Sequence, residues 1–245
     1  MAVQYSNAKI VTNGLVLALD AADRNSYVSG STTWNDLSGN GLNGTLSGSV
    51  FPTFTTSNGG SFYFSNNTPQ QQINFGSSSI LAPGPNISAF MWVNPIATPT
   101  FNQVWAQFQV PSGSLSGTNF PQASGWRIAF TPANLLRIQL FSGSNNSGLI
   151  SMLAGNPTTG SWNYAGFTLS GSLAYSYLNG QNVASANSSP SVPIIVNSGS
   201  LAIGYDNNPF YTSGSIANFQ FYNRALSQAE VLQNYNAQKS RFGLT

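Results

Sequence analysis

Between Ala202 and Gln238 the chain passes through three signals in order. A strand ends in Gly204-Tyr205-Asp206; the aromatic run Ile216-Ala217-Asn218-Phe219-Gln220-Phe221-Tyr222-Asn223-Arg224 follows; a helix start, Ser227-Gln228-Ala229-Glu230, comes last. Ser227 can accept from the Glu230 amide while the Glu230 side chain reaches back to the Ser227 amide, and Leu226 can pack on Val231. That spacing predicts a capped helix with a hydrophobic staple. One short helix, expected over 228–238, closes a chain that otherwise reads as strands.

Working outward, short apolar or alternating runs recur between clusters of Gly, Ser, Asn and Pro. The clearest are 15–19, 62–64, 87–93, 104–108, 126–131, 135–141, 162–169, 173–178, 201–205 and 216–222. Many short strands at such spacing predict an all-β sandwich or jelly roll. Nearly every residue from Ile87 to Val93 is apolar, which predicts a central strand covered on both faces. Leu173 to Leu178 followed by Asn179-Gly180 predicts a hairpin, because a type I′ turn needs positive φ at both central positions and Asn-Gly tolerates that best. Pro111 to Ser124 and Ser142 to Gly148 read as polar loops.

Read with the N-terminal opening Gly14-Leu15-Val16-Leu17-Ala18-Leu19-Asp20-Ala21-Ala22-Asp23 and Trp34-Asn35-Asp36-Leu37-Ser38-Gly39-Asn40-Gly41-Leu42-Asn43-Gly44-Thr45, the Ala202 to Gln238 segment resembles the laminin-G-like branch of the concanavalin A-like lectin/glucanase superfamily. The resemblance spans nearly the whole chain. The pairing of that opening with Tyr222-Asn223-Arg224-Ala225-Leu226-Ser227 and the tail Asn234 to Gly243 is similar to copies carried by virion proteins of tailed phages. The resemblance implies one jelly-roll domain over 1–245, with an N-terminal arm over 1–12, the helix, and a tail over 239–245. It also implies a non-enzymatic virion surface protein, either a capsid decoration protein or a fibre- or appendage-associated adhesin with glycan-binding potential. A free carbohydrate-binding module is the alternative, and a divergent glycoside hydrolase is a third reading.

Composition narrows the partners. The chain has 245 residues, 41% of them hydrophobic, enough for a sizeable core. No stretch reaches the roughly 20 apolar residues of a membrane-spanning helix, and residues 1–9 lack an export pattern. The expectation is a soluble protein made in the host cytosol and carried on a particle. Seven Lys and Arg against five Asp and Glu are scattered singly, whereas nucleic-acid binding needs clustered cations. Neither nucleic acid nor membrane insertion is expected. Charged residues supply 5% of the chain, where about a quarter is usual. Such a neutral surface, rich in Ser and Asn, has little charge repulsion to keep copies apart. It suits self-association, docking on other virion proteins, or polyhydroxylated host-surface glycans.

The chain has no His and no Cys, which excludes Ser-His, Cys-His and His-metal sites. Only Asp20, Asp23, Asp36, Asp206 and Glu230 remain as acids. The glucanases of the resembled superfamily carry Glu-x-Asp-x-Glu on one strand, and that motif is missing here. An Asp20–Asp206 pair is the one remaining route to the two carboxyls of a glycosidase. Glycan binding is placed at the loop after 201–205, where Asp206, Asn207, Asn208, Phe210 and Tyr211 gather a carboxylate, two amides and two aromatics; packing or a subunit contact is the other reading of the rings. Trp34, Trp92, Trp126 and Trp162 read as core.

No cofactor is expected except calcium, which the resemblance makes possible at the sandwich rim. The candidate ligands are Asp206 with its neighbouring amides, then Asp36 with Asn40. The alternative is that Asp36 makes an Asx turn and Asp206 begins a polar loop. Arg127 and Arg137 alternate with apolar residues on two successive strands. If 131–134 turns the hairpin, both lie on one outward face, where like charges need compensation by an Asp, an aromatic face, or an anionic ligand or partner.

Overall fold

The structure is a computed structural model that describes residues 9–65, 71–81, 84–96, 102–109, 125–141, 150–187, 199–204 and 212–245. Two antiparallel sheets of eight strands face each other. The first runs β14 (Gln181–Asn187), β13 (Leu173–Leu178), β12 (Asn163–Ser170), β7 (Asn86–Pro95), β16 (Gly214–Tyr222), β5 (Ser61–Phe64) and β4 (Thr53–Thr55). β1 (Leu15–Asp20) joins it by pairing with the second half of β16, while β5 pairs with the first half. The second sheet runs β11 (Ile150–Ala154), β10 (Leu136–Phe141), β9 (Gly125–Phe130), β8 (Gln103–Gln109), β15 (Ser200–Ile203), β6 (Gln72–Ser77), β3 (Gly44–Ser47) and β2 (Thr33–Trp34).

All ten expected strand runs appear, and β2, β3, β4, β6, β11 and β14 add to them. Each of these six buries at most two large apolar side chains, too brief a pattern to stand out in sequence; their pairing partners order them. The two expected polar loops and residues 205–211 lie outside the described residues.

Period-two alternation decides what enters the sandwich core. Trp126, Ile128 and Phe130 of β9, and Leu136, Ile138 and Leu140 of β10, point into it. They meet Phe167 and Leu169 of β12 and Phe219 and Phe221 of β16. Trp126 stacks at 5.9 Å on Phe221. Trp34 packs at 4.9 Å from Phe62 and is likewise fully buried.

The first sheet is buried on its other face too. Helix α1 (Gln228–Gln238) and a following 3-10 turn, Lys239–Phe242, lie over it. They bury Phe90, Trp92, Tyr164, Tyr177 and Tyr222 in a second cluster. Trp92 stacks on Phe242 at 4.3 Å and donates its indole N–H to Gln238 at 2.9 Å. Trp162 donates to Asn58 at 3.1 Å and sits 4.7 Å from Phe242. Two of the four expected core tryptophans therefore serve this outer cluster rather than the inter-sheet core. The double covering is why 87–93 reads as an unbroken apolar run: Ile87, Ala89, Met91 and Val93 face inward, and Phe90 and Trp92 face the helix.

Two local features hold this sheet in register. At Gly166 a Cβ would lie 2.1 Å from the Ala89 carbonyl oxygen and 2.4 Å from the Phe90 ring, so only glycine lets β12 and β7 approach as they do. Asn179 and Gly180 take φ of 52° and 79°, both left-handed, as a type I′ hairpin requires. No helix among the described residues is long and apolar enough to cross a membrane.

Candidate functional site

Where β16 hands the chain to α1, the connection folds against the outer face of β12 and β13. The Ser88 hydroxyl donates to the Arg224 carbonyl at 2.8 Å and accepts the Leu226 N–H at 2.9 Å, pinning the crossing to β7. Ser227 then caps α1 in a full capping box. Its hydroxyl accepts the Glu230 N–H at 3.3 Å, and Glu230 accepts the Ser227 N–H at 2.8 Å. Leu226 and Val231 are both buried in the outer cluster, as the staple requires.

Glu230 has a second task that its spacing did not announce. Arg224 grips it with two parallel hydrogen bonds, Nη2 to Oε1 at 2.6 Å and Nη1 to Oε2 at 2.9 Å. Arg224 Nε donates to the Asn13 carbonyl at 2.9 Å, tying in the chain ahead of β1. The guanidinium bonded to it, helped by the Ser227 amide and hydroxyl, holds the Glu230 carboxyl down at about 2, against partial burial that would raise it. Arg224 and Glu230 are six residues apart and on different elements, so no helix-face pairing rule points to them.

Beside this pair lies an open groove of about 700 Å³. Thr168 and Ser170 of β12, Tyr175 and Tyr177 of β13 and Asn182 of β14 line one side; the Arg224-to-Glu230 segment lines the other. Register places these side chains together: Thr168 is opposite Tyr175, and Tyr177 opposite Asn182. Tyr177 is buried and Tyr175 only half-buried, with ring centroids 6.5 Å apart. The groove thus joins an accessible aromatic ring, hydroxyls, an amide and a bonded carboxylate–guanidinium pair. Of these wall residues Leu226, Ser227 and Glu230 stood out in the sequence, as staple and cap; for the strand side, Tyr175-Ser176-Tyr177 was the available signal.

The residues singled out from sequence fall elsewhere. Asp206, Asn207, Asn208, Phe210 and Tyr211 lie outside the described residues, and so does any site they form. Asp36 lies in the turn before β3. Its Oδ1 accepts the Ala18 N–H at 3.0 Å and the Ser38 N–H at 2.8 Å, while Oδ2 accepts from the Ser38 hydroxyl at 2.7 Å and the Leu42 N–H at 3.2 Å. Four donors on two oxygens make a turn-holding Asx carboxylate, and a calcium ion would have to displace them. Among the described residues no three acidic side chains gather. Asp20 accepts Arg241 Nη1 at 2.6 Å, which docks the C-terminal segment on β1.

Arg127 and Arg137 do share the outward face of the second sheet. The turn forms at 131–134, with the Asn134 N–H donating to Thr131 at 2.8 Å. Arg127 lies opposite Gln139, and Arg137 opposite Ala129. Arg127 is 3% exposed and donates from Nη2 to Gln107 Oε1 at 3.3 Å. Gln139, Arg127, Gln107, Ala202, Asn74 and Thr45 are successive cross-strand partners, so one row, polar except at Ala202, crosses this face from β10 to β3.

Two packed antiparallel sheets with one capped helix over the outer face make this a jelly-roll β-sandwich. The family model for the concanavalin A-like lectin/glucanases superfamily matches residues 66–232. The chain belongs to that family. No curated protein sequence matches it.

Among solved structures, Trypanosoma rangeli sialidase in complex with the inhibitor DANA is similar at TM-score 0.69 and 13% identity, over 96% of this chain and 34% of that one. Domain 4 of AbnA, an extracellular arabinanase from Geobacillus stearothermophilus in complex with arabinotriose, is similar at TM-score 0.65 and 17% identity, over 90% and 98%. The botulinum neurotoxin serotype G binding domain is similar at TM-score 0.66 and 20% identity, over 92% and 51%. The chain spans about a third of the sialidase and about half of the toxin domain. At these identities the likeness concerns the fold.

Proposed function

We propose that this chain is a non-enzymatic glycan-recognition domain displayed on a phage virion, as a capsid decoration protein or as part of a fibre or other appendage. The groove beside the start of α1 carries the reading. Sugar sites combine an aromatic face for the apolar side of the ring with a few convergent polar groups for its hydroxyls, and Tyr175 with Asn182 and the Arg224–Glu230 pair supplies that combination. A glycosidase instead needs a carboxyl kept protonated as general acid. The carboxyl in this groove is held at about 2 and bonded to Arg224 and Ser227.

The virion setting rests on the resemblance of the opening and closing segments to phage copies. It agrees with a chain of which only 5% is charged, whose weakly charged surface suits packing against neighbouring subunits. The arabinotriose bound to the AbnA domain and the binding role of the serotype G toxin domain favour recognition on this fold. A free carbohydrate-binding module shares the groove and differs in its assembly.

A glycan array with and without calcium, a hydrolysis assay on the glycans bound, and mass spectrometry of purified particles test the reading together. Binding without turnover and presence in particles are expected. Turnover would make the protein a hydrolase, absence from particles would make it a free lectin, and binding to nothing would leave an architectural role.

A further inference from the structure

The groove's charges state what kind of sugar fits it. Its lining contains one cation and one anion, Arg224 and Glu230, bonded to each other through both terminal nitrogens and both oxygens. The remaining wall is hydroxyl, amide, tyrosine and small apolar groups, so the groove has no net charge. A guanidinium has five N–H donors. Arg224 uses Nε on Asn13, Nη1 on Glu230 and on the Ala225 carbonyl at 3.4 Å, and Nη2 on Glu230. Among the described residues one Nη2 N–H is left over, and Glu230 Oε2 already takes Arg224, the Ser227 N–H and the Ser227 hydroxyl, whereas Oε1 takes Arg224 alone.

A spare donor and a spare acceptor therefore sit side by side. Two neighbouring sugar hydroxyls, one accepting from Nη2 and the other donating to Oε1, can use them together. A carboxylate only accepts, so an acidic sugar would bring its charge against Oε1 and find Arg224 already neutralised. Like charges brought together in a partly desolvated groove are costly.

Resting on the reading of this groove as a glycan site, we infer that it selects uncharged sugars: a neutral pyranose or furanose stacks on Tyr175, hydrogen-bonds through its hydroxyls to the Arg224–Glu230 pair and Asn182, and sialic and uronic acids are rejected. Arg224 and Glu230 then determine specificity as well as capping the helix. Removing the Glu230 charge while keeping its shape would free the cation and invert the preference.

The test uses the full chain on an array of neutral oligosaccharides, among them lactose, maltotriose and arabinotriose, and acidic ones, among them 3′-sialyllactose and digalacturonic acid, followed by titration calorimetry on the hits. The wild type is expected to bind neutral members only. Tyr175→Ala should weaken binding at least about tenfold, as loss of an aromatic anchor does, while Tyr175→Phe retains it. Glu230→Gln should gain affinity for the acidic members; Tyr175→Ala, which leaves the helix cap's hydrogen bonds in place, keeps the test decisive if that variant fails to fold. Wild-type binding to no glycan would remove the glycan reading itself. Binding that prefers acidic glycans, or that survives Tyr175→Ala, would leave the glycan reading standing and overturn this inference.

Discussion

Asn234, wholly buried in the C-terminal helix, accepts the backbone N–H of Val11 at 2.7 Å across 223 residues of sequence. Its amide also donates to the Tyr222 hydroxyl at 2.9 Å, and that hydroxyl donates to the Val11 carbonyl at 3.0 Å. One side chain thus joins the segment before β1, the last strand and the helix. An Asn234→Ala variant strands the Val11 N–H in a dry site, and a buried unsatisfied group costs about 1–3 kcal/mol. Chemical denaturation should show a loss of about 2 kcal/mol. A midpoint equal to the wild type would mean that the chain before β1 is not held this way.

Ser227→Ala removes the acceptor for the Glu230 N–H and should cost about 1 kcal/mol. The fold should survive, because Leu226 and Val231 stay buried in the outer cluster. An unchanged denaturation midpoint would show that the capping box contributes nothing in solution.

Acid should weaken the same end of the helix. Glu230 titrates near 4.5 when unfolded and at about 2 when folded, chiefly because Arg224 bonds its charged form. Between those values the unfolded chain binds more protons, so its contribution is full above about 4.5 and disappears as pH falls through about 2. Thermal melts in steps across that window should show a falling Tm, and Glu230→Gln should flatten the fall. An equal fall in the variant would assign the acid sensitivity to other carboxylates.

Alkali should act on the outer cluster. Burial raises the Tyr222 hydroxyl to about 12 from the usual 10, and buried Tyr164 is raised as well. The folded state keeps protons that the unfolded state releases, so stability is complete below pH 10 and is lost as pH rises through about 12. Ultraviolet titration of tyrosinate beside circular dichroism should show a late tyrosine class ionising together with unfolding. A single ionisation near pH 10 with the fold intact would contradict the burial of these hydroxyls.

Sequence by itself determined the sandwich and its closing helix. Strand alternation, the Asn179-Gly180 turn and the Ser227–Glu230 box each act within about ten residues, and their chemistry is complete in a local window. The double burial of 87–93 was legible for the same reason. So was the shared face of Arg127 and Arg137, which follows from period two once the turn at 131–134 is placed.

Tertiary structure alone assembled the groove beside α1. Thr168, Tyr175 and Asn182 stand on three different strands, and Arg224 follows β16, beyond β7; no window of sequence shows that their side chains line one groove. The grip of Arg224 on Glu230 depends on how the chain crosses β7 after Tyr222, and the contact of Asn234 with Val11 depends on the helix lying across that sheet. Both are set by the burial of Phe90, Trp92, Tyr164 and Phe242 beneath the helix. Apolar area has no direction along the chain, so sequence shows that these rings must be covered, and only the folded sheet shows what covers them.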